Sequence, residues 1–114
     1  MTVLLVDDDE DDRDIFQEAL AMAKPDCNLI FATNGEDALR VLKSLQSLPD
    51  IVFLDVNMPL MDGRQLLGIL KADPRFSAVP VVVYSTSSHK SELGEFFRMG
   101  ASNFITKPSE FRLL

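Results

Sequence analysis

Val3-Leu4-Leu5-Val6 runs straight into Asp7-Asp8-Asp9: four apolar residues without a charge, then three carboxylates in a row. An unbroken apolar run of this length reads as a strand buried on both faces, the kind found in parallel sheets, and acids directly behind it mark a strand end. Four more runs of the same character follow, Leu29 to Ala32, Ile51 to Leu54, Val81 to Tyr84 and Phe104 to Thr106, rich in β-branched residues. Between them apolar residues recur at helical spacing: Ile15, Ala19 and Met22; Ala38, Val41, Leu42 and Leu45; Leu66, Leu67 and Leu70; Leu93, Phe96 and Phe97. The punctuation agrees, with Asn34-Gly35 before the second helix, Pro49-Asp50 after it, Pro74 and Pro80 around the loop into the fourth strand, and Met99-Gly100 ending the fourth helix. This alternation predicts an α/β chain, (βα)4β plus a remnant, with a parallel sheet and right-handed crossovers. In such sheets ligands bind beyond the carboxyl ends of the strands, where the strand order reverses.

Composition narrows the function. The chain has 114 residues, 46% of them apolar and 25% charged, with no repeat or linker, so one domain spanning residues 1–114 is expected. Its 11 Lys and Arg against 18 Asp and Glu give a formal charge of −7, which argues against direct nucleic-acid binding and for cations or basic partners. The single Cys27 excludes an internal disulfide framework, and with His89 as the one histidine no Cys/His zinc site can be assembled. No apolar run approaches the roughly 20 residues of a membrane span, and no signal peptide precedes the first strand, so no membrane association and a cytoplasmic location are expected.

The residues just past the strands carry the chemistry. Asp7-Asp8-Asp9 follow the first strand, Asp55 the third, Ser85-Thr86 the fourth, and the fifth runs into Lys107-Pro108. Two adjacent acids and a third from another strand repel one another, and a hard divalent cation with oxygen ligands relieves that repulsion; Mg²⁺ suits a site with few carboxylates that keeps several waters. A hydroxyl and an ammonium on the far side complete the charge pattern for a phosphoryl group.

Leu4-Leu5-Val6-Asp7-Asp8, Phe53-Leu54-Asp55-Val56-Asn57-Met58-Pro59-Leu60-Met61-Asp62-Gly63, Val83-Tyr84-Ser85-Thr86 and Gly100-Ala101 to Lys107-Pro108 together resemble the receiver domain of two-component response regulators, in order, over almost the whole chain. The resemblance implies a flavodoxin-like, CheY-like doubly wound sheet of five parallel strands in the order 2-1-3-4-5. It implies that Asp55 is the phosphoacceptor, Asp8 a direct Mg²⁺ ligand, Asp7 a ligand through water, and Asn57 a ligand through its backbone carbonyl. Ser85 would supply the hydroxyl that follows the phosphoryl group, Lys107 the counter-charge with a cis Lys107-Pro108 peptide, and Phe104 the switch aromatic. Asn57 and Ser87 stand where the family tunes dephosphorylation. The implied partners are a sensor histidine kinase or histidine phosphotransfer protein and a downstream protein target, with helix four and strand five as the output face and a place for dimerisation. Such a domain is a signalling phosphoacceptor rather than an enzyme.

Three positions depart from the family pattern. Ser85 stands where Thr is commoner and lacks the β-methyl that stiffens χ1; Phe104 stands where Tyr is frequent; and the sequence ends at Leu114, where the family carries a full fifth helix. A truncated or short fifth helix, with Phe111, Leu113 and Leu114 marginally held, predicts exposed apolar surface and dimerisation or instability.

Plainer readings compete at several positions. Residues 7 to 14 contribute −6 of the total charge, and for residues 9 to 14 a solvated helix start accounts for it, with Asp9 as cap. Asp7, Asp9, Asp11 and Glu18 fall at EF-hand spacing, but Asp12 occupies the obligatory glycine position. Gly63 and Gly68 lack the Lys-Ser/Thr of a phosphate-binding loop, so Asp62-Gly63 reads as a capped helix start. His89 reads as a solvated loop residue. Two other functions compete: an unphosphorylated pseudo-receiver, whose signature would be a lost acid or a lost Lys107, and a haloacid dehalogenase-type phosphatase. The second needs Thr or Val where Asp11 stands, and more chain for its cap.

Overall fold

Valine, isoleucine and leucine fill the strands, and their burial against helices on both sides organises the chain. The computed structural model describes residues 1–55, 63–85 and 90–106. Its elements are β1 (Thr2–Val6), α1 (Glu10–Ala23), β2 (Asn28–Ala32), α2 (Gly35–Ser44), β3 (Ile51–Leu54), α3 (Gly63–Ala72), β4 (Val81–Ser85), α4 (Lys90–Arg98) and β5 (Asn103–Thr106). The five strands are all parallel, in the expected flavodoxin-like order β2-β1-β3-β4-β5. Both β1 and β3 are central, with Val3 paired to Leu29 on one side and Ile51 on the other.

Strand alternation splits the core in two. Leu4, Val6, Val52, Leu54, Val81 and Val83 pack with Ala38 and Leu42 of α2, Leu66, Leu67 and Leu70 of α3, and Phe96 of α4. Each fully buried leucine among them contributes about 1.5–3 kcal/mol. The opposite face presents Val3, Leu5, Phe53, Val82 and Tyr84, and here Phe16 of α1 meets Phe53 and Tyr84 edge-on, with ring centroids at 4.9 and 5.7 Å.

Two expectations about burial need correction. The apolar runs at β2 and β5 are only half-buried, because both strands lie at sheet edges; Ile105 of β5 is exposed. The spacing of Ile15, Ala19 and Met22 does not define the inner face of α1 either: Ala19 is exposed and Met22 is 86% exposed. The inward stripe runs through Asp12, Phe16 and Leu20, set by the aromatic ring that reaches Phe53 and Tyr84. In α4, Phe96 is fully buried and its neighbour Phe97 is exposed. The expected cap at Asp62, the histidine His89 and the short fifth helix lie outside the described residues. Among the described residues no helix is long and apolar enough to cross a membrane.

Local chemistry closes the helix ends. Asp9 caps α1, accepting hydrogen bonds from the N–H groups of Asp11 at 2.9 Å and Asp12 at 3.2 Å, and the acids of the first turn suit the positive end of the helix. Asn34 caps α2 through the Asp37 N–H at 2.8 Å. At the end of α4 the N–H of Ala101 reaches the Phe96 carbonyl and that of Gly100 the Phe97 carbonyl, a Schellman closure that requires the positive φ of Gly100, 106°. A Cβ at Gly100 would stand 3.0 Å from Cγ of Lys71, whose stem is pinned by hydrogen bonds from Nζ to the carbonyls of Ser77 and Val79.

Gly100→Ala is therefore expected to destabilise the domain by about 1–2 kcal/mol, read from urea unfolding midpoints. A second expectation concerns acid. The Asp37 carboxylate accepts the Thr33 N–H at 3.0 Å and pairs with Arg40, which holds its pKa below the ordinary carboxylate value, the backbone hydrogen bond first. Because the folded pKa is depressed, this stability is present above the unfolded pKa and disappears as pH falls through the folded one. Asp37→Asn should lower stability at neutral pH and flatten its decline toward pH of about 2, measured by the same unfolding curves.

Candidate metal centre

Parallel pairing of β1 with β3 places Val6 beside Leu54, so the residues that follow, Asp7 and Asp55, leave the sheet side by side. Two backbone hydrogen bonds continue the pairing beyond the strands: the Asp7 N–H donates to the Ala32 carbonyl at 3.0 Å, and the Asp55 N–H to the Val6 carbonyl at 2.9 Å. Carboxylate oxygens of Asp7, Asp8 and Asp55 then all lie within 4.8 Å of one another. Asp7 is fully buried and Asp55 is 6% exposed, while Asp8 stands on the solvent side.

Three carboxylates this close, two of them out of water, form a strongly anionic pocket that a cation stabilises. The donor set is all oxygen, which suits a hard divalent ion, and the exposed side at Asp8 leaves room for waters or an anionic ligand. The residues present therefore fit a divalent metal.

Further contacts hold the β1–α1 turn. Oδ1 of Asp7 accepts the Asp9 N–H at 3.0 Å, and the Asp7 carbonyl accepts a hydrogen bond from Nη1 of Arg13 at 2.8 Å. Arg13 is not singled out by the sequence, where a lone arginine in an acidic run reads as a counter-charge. Asp12 corrects the expectation of a solvated helix start. Only 9% exposed, it lies one helical turn before Phe16 on the face turned to the sheet. The signal that could have found it is the i, i+4 spacing to that aromatic.

On the far side, Ser85 closes β4 opposite Thr106 of β5. Phe104 is half-buried, its ring 5.9 Å from that of Phe96. The guanidinium of Arg64, in the first turn of α3, lies 5.3 Å above the Phe96 ring, and its Nε is 3.4 Å from Oε1 of Glu95. One cation thus ties α3 to α4, and α4 touches β5 through Phe104. Asn57, Thr86, Ser87 and Lys107, with the Lys107-Pro108 peptide, lie outside the described residues, as does the side chain of Ser85.

Comparison with known proteins places this geometry. Residues 3–114 match the family model for the response regulator receiver domain. Response regulator Rcp1 of Synechocystis sp. is 30% identical over 92% of this chain and 75% of its own length. Histidine kinase P4 of Formosa agariphila is 36% identical over 98% of this chain, which spans only 8% of that kinase. Among solved structures, the phosphorylated cyanobacterial phytochrome response regulator RcpA superposes with a TM-score of 0.90 at 31% identity, over 99% of this chain and 84% of that one. The Mn²⁺-bound form of Rcp1 gives 0.88 at 29% identity, over 99% and 85%.

A saturating divalent cation is expected to raise the thermal midpoint of the domain, since ligand at 100 times its dissociation constant adds about 2.7 kcal/mol. In Asp55→Asn the response to Mn²⁺ should shrink, because one anionic oxygen donor is gone; differential scanning fluorimetry reads the difference.

Proposed function

Because the chain belongs to the response regulator receiver domain family, we propose that it is the phosphoacceptor of a two-component phosphorelay, with Asp55 as the acceptor. The observation that carries this reading is the convergence of the Asp7, Asp8 and Asp55 carboxylates within 4.8 Å at the ends of two neighbouring parallel strands. The donor is a phosphohistidine on a sensor kinase or a histidine phosphotransfer protein, in keeping with the likeness to a histidine kinase.

In the forward step a carboxylate oxygen of Asp55 attacks phosphorus, the O–P bond forms and the P–N bond breaks. Its electron pair returns to the imidazole nitrogen, which takes a proton from solvent. Hydrolysis reverses the acceptor: water attacks phosphorus, inorganic phosphate leaves and the Asp55 carboxylate is restored. Asp8, Asp55 and the Asn57 backbone carbonyl would hold Mg²⁺, with Asp7 acting through water, and the bound ion would supply positive charge opposite the phosphoryl oxygens. Lys107 adds a second positive charge and Ser85 a hydroxyl donor. The chain is thus a signalling phosphoacceptor rather than an enzyme with a separate substrate.

The output follows from packing. A dianion beside Ser85 draws that hydroxyl and its loop inward, and Phe104 moves into the space released, changing the surface of α4 and β5. Phe97 at 48% and Ile105 at 41% exposure give that surface apolar anchors for a downstream protein or a second copy. The domain covers residues 1–114 and acts in the cytoplasm, without membrane or nucleic-acid contact.

Intact mass after incubation with acetyl phosphate tests the proposal. A single phosphate adduct is expected, dependent on Mg²⁺ and absent in Asp55→Asn. A protein that binds Mg²⁺ yet takes no phosphate is a pseudo-receiver, and the proposal fails.

A further inference from the structure

Among the described residues, partners hold three atoms of Asp7. Its N–H donates to the Ala32 carbonyl, its Oδ1 accepts the Asp9 N–H, and its carbonyl accepts Nη1 of Arg13 at 2.8 Å. The first two partners are main-chain groups and persist whatever the side chains are. The third is a side chain on the first turns of α1, six residues on in the chain, where the Arg13 N–H is itself fixed by the Asp9 carbonyl.

That third bond acts on Asp8. The Asp7 carbonyl and the Asp8 nitrogen share one planar peptide, so fixing the direction of the carbonyl fixes the plane from which the Asp8 Cα departs. Asp8 is the exposed member of the acidic trio, lacking the burial that orients Asp7 and Asp55. Its carboxylate nevertheless lies within the 4.8 Å cluster. Resting on the metal-centre reading, we propose that Arg13 is a positioning residue: by holding the Asp7 carbonyl it sets the Asp7–Asp8 peptide plane and brings the Asp8 carboxylate to the cation.

Charge and position predict opposite signs. A guanidinium near a cation site repels the cation through space, so if charge were its whole effect, removing Arg13 would tighten metal binding. If the hydrogen bond positions Asp8, removing it weakens binding, and loss of a partner that orients a ligand typically costs 10-fold or more in affinity. A merely structural role would lower the thermal midpoint of the metal-free protein and leave the affinity of the folded fraction unchanged.

The test is titration of the 114-residue chain with Mn²⁺ alone, followed by electron paramagnetic resonance, together with the metal-free thermal midpoint. Arg13→Ala is expected to weaken Mn²⁺ binding about tenfold. Arg13→Lys, which keeps the charge but loses the reach and planar fork of the guanidinium, should fall between Arg13→Ala and wild type. Unchanged or tighter binding in Arg13→Ala overturns the proposal. Should Arg13→Ala fail to fold, Arg13→Lys decides, and wild-type affinity there overturns it. A wild-type protein that binds no Mn²⁺ overturns the metal-centre reading and this inference with it, whereas normal wild-type binding with unaffected variants overturns the inference alone.

Discussion

The register of β1 is the constraint on which the site depends. This strand is paired on both sides, so one shift of a residue against β2 or β3 would send Leu4 and Val6 to the wrong face and unmake both halves of the core. The register that buries those side chains also sets the Asp7 N–H against Ala32 and the Asp55 N–H against Val6. Apolar burial, distributed over many residues, therefore offsets the repulsion of three carboxylates that would separate in a free peptide. The sheet supplies the restraint that keeps the three together.

Much of this arrangement is legible in the sequence because it depends on short-range patterns. Five apolar runs bounded by turn residues give the strands to within a residue at each end, and Asp9, Asn34 and Gly100 mark helix ends through hydrogen bonds that reach only a few positions. Asp7, Asp8 and Asp55 are legible as a group because a parallel sheet leaves its strand ends on one edge. Burial within amphipathic helices is harder to read. In α1 three apolar residues at plausible spacing, Ile15, Ala19 and Met22, compete with one phenylalanine, and the partner rings of Phe53 and Tyr84 decide in favour of the stripe through Phe16. Those partners are dozens of residues away, and no local pattern points to them. Asp12 is carried inward by the same rotation.

Arg13 and Arg64 show a second limit. The sequence singles out neither, but in the fold each guanidinium meets a specific partner. Arg13 meets a main-chain carbonyl beside the acidic trio. Arg64 lies over a buried ring while its Nε faces Glu95 of the neighbouring helix. Such roles depend on which loop or helix lies opposite, and arginine is suited to them because its planar head combines directed donors with a face that stacks on aromatic carbon.

Tyr84 has an optical consequence. The chain contains no tryptophan and a single tyrosine, and that ring is buried on β4, one residue before Ser85, with Phe16 edge-on at 5.7 Å. All intrinsic fluorescence excited above the phenylalanine band therefore originates at one point, on the sheet face opposite Phe96. Among the described residues the ring's aromatic neighbour is Phe16 of α1, so a change in emission reports on the immediate surroundings of this one ring on the α1 side of β4. The protein carries a built-in spectroscopic probe at the end of β4, one residue from Ser85.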